Sequence, residues 1–276
     1  LRDRSGLVQA VVKAETEKIK LEGLHNGTVL QIEGQVVADD RAAGGVEIHE
    51  PVLTVLVPVT EVLPVEIDKP IDHQSENFDT LFEYRALSLR NVSEQQVFLI
   101  RAALLREIRS YLDAQGFVEI QTPKLVAGAA EGGAEVFRTD YFGQVATLAQ
   151  SPQLYKQMMV GVFERVFEIA PAFRAEPSVT TRHMSEVMML DIELGFIEDH
   201  DDVLKVLEAM VRQVVEAVYH QFGSQLKAMG APELALRPQF PRYSMAKIHE
   251  LYSKATGKDT TNESDLLPEE ERWICD

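Results

Sequence analysis

The sequence predicts an α+β protein, in which a small β domain precedes an antiparallel sheet flanked by helices. Several short β-type runs fill residues 1–57, with no helix long enough to cover a sheet. Two helix-period apolar stripes lie within residues 93–112 and 202–221. Between them stand two strict period-two runs, Val166 to Arg174 and Met188 to Phe196. A short connection, Pro177 to His183, makes these two strands antiparallel neighbours.

Taken in order, Leu7 to Val12 is a short apolar run after a Ser5-Gly6 turn, and Glu15 to Glu22 suits a short helix. Thr28 to Val37 alternates in part, Ala38 to Gly45 is turn chemistry, and Val46 to Val57 is strand-like again. This is the pattern of a small barrel, such as the later part of an OB-fold. Pro58, Pro64 and Pro70, spaced by acidic residues, mark 58–77 as a linker between a 1–57 domain and a 78–276 core. The next helix takes Ser93 as N-cap with Gln96 at the capping-box position. Val97, Ile100, Leu104, Ile108 and Leu112 form its core stripe, and Gly116 stops it. Phe117 to Ile120 reads as a strand ended by Pro123. The second long helix, about Asp202 to Gln221, carries Val203, Val206, Leu207, Met210, Val214, Val215 and Val218 as its apolar stripe. Asp199, Asp201 and Asp202 suit its N-terminal dipole.

A net charge of −17 excludes a generally basic nucleic-acid binder, but residues 97–186 sum to only −1. An anionic ligand is best tolerated there. The only cysteine is Cys275, so no intrachain disulfide forms. No apolar run approaches the roughly 18–20 residues of a membrane span, and Leu1 to Arg4 lacks the apolar core of a signal peptide. The expectation is a soluble, cytoplasmic protein with no membrane partner.

The two alternating strands present a face with chemistry. Met188, Leu190, Ile192, Leu194 and Phe196 point one way, and Asp191 and Glu193 the other. On the neighbouring strand Val166, Glu168, Ala170, Ala172 and Arg174 share a face, with only alanines between the two ionic residues. A flat ligand fits over that gap. Arg174 has two readings, a fork of donors for phosphate oxygens or a structural ion pair with Glu168 or Glu193. Ser151 and Pro152 open a helix as N-cap and first residue, placing Gln153 and Lys156 on one face near its N-terminus. Lys156 is either a ligand cation or an ordinary surface lysine. The small-residue loop Gly128 to Ala134 holds Glu131, which suits an ammonium group if the loop is more than a plain connection.

These stretches resemble the class II aminoacyl-tRNA synthetases, specifically the aspartyl family of archaeal and eukaryotic type. GFVEIQTPKL (116–125) resembles the family's first motif, and FRAEPSVTTRHMSE (173–186) its second. EGGAEVF (131–137), YFGQVATLAQSPQLYKQ (141–157) and MLDIELGFI (189–197) resemble its amino-acid site, and the segment from LRDRSGLVQ onward the later strands of its anticodon-binding OB-fold. The resemblance implies aspartate–tRNA ligation by a homodimer using ATP and Mg2+. It implies Arg174 as the catalytic residue, binding both the α-phosphate and the substrate carboxylate. Glu131 and Gln153 take the substrate ammonium, and Lys156, held by Asp191, takes its side-chain carboxylate. Glu176, Arg182, His183 and Met184 join Arg174 as ATP contacts. Related asparaginyl enzymes carry glutamate where Lys156 stands, which disfavours asparagine–tRNA ligation. A non-charging paralogue that binds aminoacyl-adenylate or RNA is the other alternative. The opening OB-fold strands and the third motif with its metal ligands are expected outside residues 1–276. Those residues alone are therefore expected to be inactive and to hold no metal.

Overall fold

Helices begin at Phe78 and Met245, where the side chains of Asn77 and Ser244 accept from N–H groups of the first turn. A computed structural model describes residues 1–12, 23–42, 44–72, 77–128, 136–175, 184–234, 236 and 239–275. The chain forms two compact units, Leu1–Glu107 with Ala217–Ala231 and Ile108–Glu216 with Pro232–Asp276.

In the first unit a hairpin of β1 (Arg2–Asp3) and β2 (Gly6–Leu7) precedes β3 (Gln9–Val11), β4 (Val29–Ala38) and β5 (Val46–Val57). These three form a sheet in the order β3-β5-β4, with β4 and β5 antiparallel and β3 parallel to β5. The helix expected at Glu15 to Glu22 lies outside the described residues. The β4–β5 register shifts between Glu33 and Gln35. A Cβ on Gly34 at that shift would come within 2.5 Å of Ile48 Cγ2 and 2.7 Å of the His49 carbonyl oxygen. Only glycine lets the two strands close there.

The proline-spaced segment packs against a short helix. Val65, Ile67 and Ile71 are buried with Leu81 of α1 (Phe78–Glu83), and Leu63 and Leu87 pack on them. After α2 (Arg85–Ser88), Asn91 ties this cluster to α3 (Val92–Ala114). Its Nδ2 donates to the carbonyls of Glu66 at 3.1 Å and Lys69 at 2.5 Å. Its Oδ1 accepts from Ser93 N–H at 2.9 Å and from Ser93 Oγ at 2.7 Å. Asn91, not Ser93, therefore caps α3. With Val92 as the first helical residue, Ser93 falls inside the first turn and becomes a donor. Asn91 is fully buried, so Asn91→Ala loses a cap and leaves two carbonyls unpaired. It is expected to cost about 2–4 kcal/mol in equilibrium denaturation, whereas Ser93→Ala should cost no more than about 1 kcal/mol. The reverse order would return the cap to Ser93.

The α3 stripe is only partly core. Ile108 and Leu112 are buried, but Val97 is 52% and Leu104 37% exposed, with Phe98 and Leu99 half-exposed beside them. A periodic stripe identifies the apolar face of a helix, not what covers it.

In the second unit β6 (Val118–Glu119), β10 (Arg165–Phe173) and β11 (Glu186–Leu194) form a sheet in the order β11-β10-β6. β10 and β11 are antiparallel, as their alternation predicts, while β6 joins parallel. A second sheet, β7-β9-β8, is antiparallel and uses β7 (Leu125–Val126), β8 (Arg138–Tyr141) and β9 (Gln144–Leu148). Helix α4 (Gln153–Phe163) packs against β10 and β11. Leu112, Phe117, Ile120, Val166, Phe167 and Ile169 supply buried apolar bulk. Helix α5 (His200–Ala228) is two helical segments that meet at a kink at Phe222 (φ −124°, ψ 17°), so its first segment ends at Gln221 as the sequence predicts. Met210, Val214 and Val218 of its stripe are buried, and Leu207 is 42% exposed.

Helices α6 (Met245–Thr256) and α7 (Pro268–Cys275) are joined by a buried polar cluster. Glu270 Oε1 lies 2.7 Å from His249 Nδ1 and accepts from Thr260 Oγ1 at 2.5 Å, while Oε2 accepts from Leu267 N–H at 2.9 Å. Burial opposes ionisation of Glu270, but the Thr260, Leu267 and His249 contacts outweigh it and hold its pKa down at about 2. A carboxyl whose pKa is lower folded than unfolded stabilises the fold above its unfolded value. That contribution is lost as pH falls through the folded one. Thermal stability is therefore expected to fall between about pH 4.5 and pH 2. Glu270→Gln should lower the melting temperature at pH 7 and flatten this acid limb. An unchanged slope in the variant would remove Glu270 from the acid response.

Candidate functional site

The β10–β11 register assembles the charged face. Glu168 stands opposite Asp191, Val166 opposite Glu193, and Ala170 and Ala172 opposite Met189 and Val187. Opposed residues of an antiparallel pair project from the same side, so Glu168, Asp191 and Glu193 share one face. The alanine gap then leads to Arg174, just beyond β10.

Helix α4 brings a cation onto this face. The helix begins at Gln153, one residue later than expected, so Pro152 occupies the cap position and Ser151 lies outside it. Ser151 Oγ still accepts from Gln153 N–H at 3.2 Å, and Lys156 N–H closes the first turn on the Pro152 carbonyl at 2.9 Å. Lys156 is only 6% exposed, which excludes the surface-lysine reading. Its Nζ donates to Asp191 Oδ1 at 2.9 Å and lies 3.6 Å from Glu193 Oε2. A buried ammonium needs such partners, because water cannot solvate it there. The Lys156 ammonium has three donors and Asp191 takes one. Gln153, one turn earlier, is half-buried.

Glu168 is fully buried and has partners of its own. Lys124 Nζ donates to its Oε2 at 2.7 Å, Thr122 N–H to Oε1 at 2.7 Å, and Thr122 Oγ1 lies within reach of both oxygens. The structural ion-pair reading of Arg174 therefore fails. Glu168 is held by Lys124, and the cation nearest Glu193 is Lys156. Arg174 is half-buried, its N–H donates to the Ser185 carbonyl at 3.0 Å, and it has no ion-pair partner among the described residues. Met184 is 60% exposed. Glu131, Glu176, Arg182 and His183 lie outside the described residues.

The structure thus brings Lys156, Asp191 and Glu193 together, with Glu168 opposite Asp191 in the ladder. Thr122 and Lys124 are site neighbours that no sequence pattern singles out. Standing two apart about Pro123, they are legible only as one side of an extended segment. Among the described residues, no group of three or more His, Cys, Asp and Glu side chains is placed to hold a metal ion. The carboxylates of this face are already engaged by lysines.

Residues 77–276 match the family model of the class II tRNA synthetases (D, K and N). The chain belongs to the class II tRNA synthetases. Over 283 residues it is 41% identical to the aspartate–tRNA(Asp/Asn) ligase of Thermus thermophilus, an alignment that covers 100% of this chain and 65% of the relative. It is 39% identical over 280 residues to the enzyme of that name from Methanopyrus kandleri, covering 99% and 64%. The chain thus spans less than two thirds of the length of these relatives. Asparaginyl-tRNA synthetase from Pyrococcus horikoshii complexed with asparaginyl-adenylate superposes with a TM-score of 0.82 at 32% identity, covering 99% of this chain and 63% of that one. Aspartyl-tRNA synthetase from Entamoeba histolytica superposes with a TM-score of 0.71 at 29% identity, covering 90% and 53%. This class II synthetase chain has the α+β architecture its sequence predicts, OB-type strands followed by a sheet flanked by helices. No helix among its described residues is long and apolar enough to cross a membrane.

Proposed function

We propose that the full-length protein is an aspartate–tRNA ligase. It activates the α-carboxylate of aspartate on ATP, releasing pyrophosphate, and passes the aspartyl group to the terminal ribose of tRNA. The observation that carries this reading is the buried Lys156, bonded at 2.9 Å to Asp191. A positive charge fixed in a closed site favours a substrate with a second carboxylate. Asp191 takes one of the three Lys156 donors, and a substrate carboxylate accepts from the remaining donors better than the neutral amide of asparagine does. The names of the Thermus and Methanopyrus relatives point the same way.

In this reading residues 78–276 form the catalytic core and the N-terminal strands contact the anticodon. Arg174, at the end of the alanine gap, bridges the α-phosphate and the substrate carboxylate. Its guanidinium remains charged and its fork matches both groups. Activation is an in-line displacement at phosphorus, in which positioning and charge neutralisation supply most of the acceleration. Gln153 with Glu131 binds the ammonium group, Lys156 the side-chain carboxylate, and Glu176, Arg182, His183 and Met184 the nucleotide. Magnesium enters with ATP, and no described residue is assigned to it. The half-exposed Val97, Phe98 and Leu99 of α3 support a homodimer formed through that helix. The cytoplasm is the compartment in which such a protein meets its tRNA.

The deciding experiment is aminoacylation by the full-length protein, comparing aspartate with asparagine on both aspartate and asparagine tRNAs. Aspartate-dependent charging with little use of free asparagine is expected, and preferential use of asparagine would overturn the reading. The relatives' names, which specify both tRNAs, favour a second reading of tRNA choice. Aspartate would then be attached to asparagine tRNA as well.

A further inference from the structure

We infer that the buried Lys124–Glu168 pair is a positioning device that keeps Lys156 committed to Asp191, and so sets the affinity for the substrate's side-chain carboxylate. The inference rests on the proposed role of Lys156 as the partner of that carboxylate. Glu168 stands directly opposite Asp191 in the β10–β11 ladder. Two carboxylates in that relation repel each other and compete for the same cation.

Each has its own lysine instead. Lys124 Nζ is 2.7 Å from Glu168, and Lys156 Nζ is 2.9 Å from Asp191. Thr122 reinforces the division with its N–H at 2.7 Å from Glu168 Oε1 and its hydroxyl at 2.9 Å from Oε2. Lys124 Nζ also donates to Thr122 Oγ1 at 2.9 Å, which fixes the lysine's approach. Glu168 is 1% exposed, so water cannot take over if Lys124 is lost. Among the described residues, the other lysine paired with a carboxylate of that face is Lys156. Removing Lys124 alone therefore draws Lys156 toward Glu168 and away from Asp191, while removing Glu168 alone frees Lys124 to compete for Asp191. Removing both leaves the Lys156–Asp191 pair as it was.

A double-mutant cycle on the full-length enzyme tests this, with Lys124→Met, Glu168→Gln and their combination, alongside Lys156→Leu. The readouts are the aspartate KM, the ATP KM and the melting temperature. Each single variant is expected to raise the aspartate KM about tenfold or more, with the ATP KM within about twofold. The double variant should return the aspartate KM to within about threefold of wild type. Single variants that leave the aspartate KM unchanged would overturn the inference. So would a double variant as impaired as the singles, or a defect spread equally over both substrates, since either marks a merely structural pair. If a single variant does not fold, the double variant decides alone, and a tenfold rise in its aspartate KM at wild-type stability overturns the inference. An unaffected Lys156→Leu enzyme would instead defeat the role of Lys156 itself, so the two failures are distinguishable.

Discussion

Arg174→Ala in the full-length enzyme is expected to lower aspartate-dependent pyrophosphate exchange by about a thousandfold or more, while the protein stays folded. The magnitude follows from the charge to be handled. Removing one preorganised donor from a developing oxyanion costs about 10²–10³ in rate, and a cationic arginine acting on a transferring phosphate contributes roughly 10³–10⁵. Arg174 has no ion-pair partner among the described residues, so its loss leaves no described carboxylate stranded. Its backbone bond to Ser185 survives the substitution. Melting temperature should therefore change little while activity collapses. Exchange within a fewfold of wild type would reject the phosphate role. Arg174→Lys should recover only a small part of the activity, because an ammonium cannot present two parallel donors to two groups at once.

The face proposed to carry this chemistry is legible in the sequence because alternation is a local property. The period-two runs identify which side chains of β10 and β11 share a side, and the short connection between them fixes their direction. Asp191 and Glu193 on one strand, with Glu168 and Arg174 on the other, come from that alone. The ownership of each carboxylate does not. Thr122 and Lys124 lie 46 and 44 residues from Glu168 in the chain, and nothing in a strand pattern specifies a partner at that separation. The choice between an ion pair and a ligand role for Arg174 depends on this non-local information. Helix starts show the same division. Ser93 and Asn91 are both good caps, and the tertiary bonds of Asn91 to Glu66 and Lys69 decide between them. Exposure is likewise non-local, which is why the stripe of α3 is core at Leu112 and open at Val97.

Lys156→Leu is the variant that separates substrate recognition from general catalysis. Truncating one partner of a buried, hydrogen-bonded charge pair across a binding interface typically costs about 2–5 kcal/mol, which is roughly thirtyfold to several-thousandfold in kcat/KM for aspartate. An exposed lysine would contribute about 0–1 kcal/mol, and the 6% exposure of Lys156 places it in the first regime. Part of the cost falls on the protein itself, since Asp191 and Glu193 lose their cation. Melting temperature and the ATP KM must therefore be measured beside the aspartate kinetics. A specific role requires the aspartate kcat/KM to fall while the ATP KM stays within about twofold. Asparagine is the sharper probe. The mutation removes the charge that favours the carboxylate over the neutral amide, so the asparagine-to-aspartate ratio of kcat/KM should rise at least about tenfold even as both values decline. Global destabilisation would lower both amino acids equally and leave their ratio fixed. A fixed ratio, or an unchanged aspartate kcat/KM, would mean that Lys156 serves the packing of α4 on the sheet and that selectivity for the second carboxylate resides elsewhere.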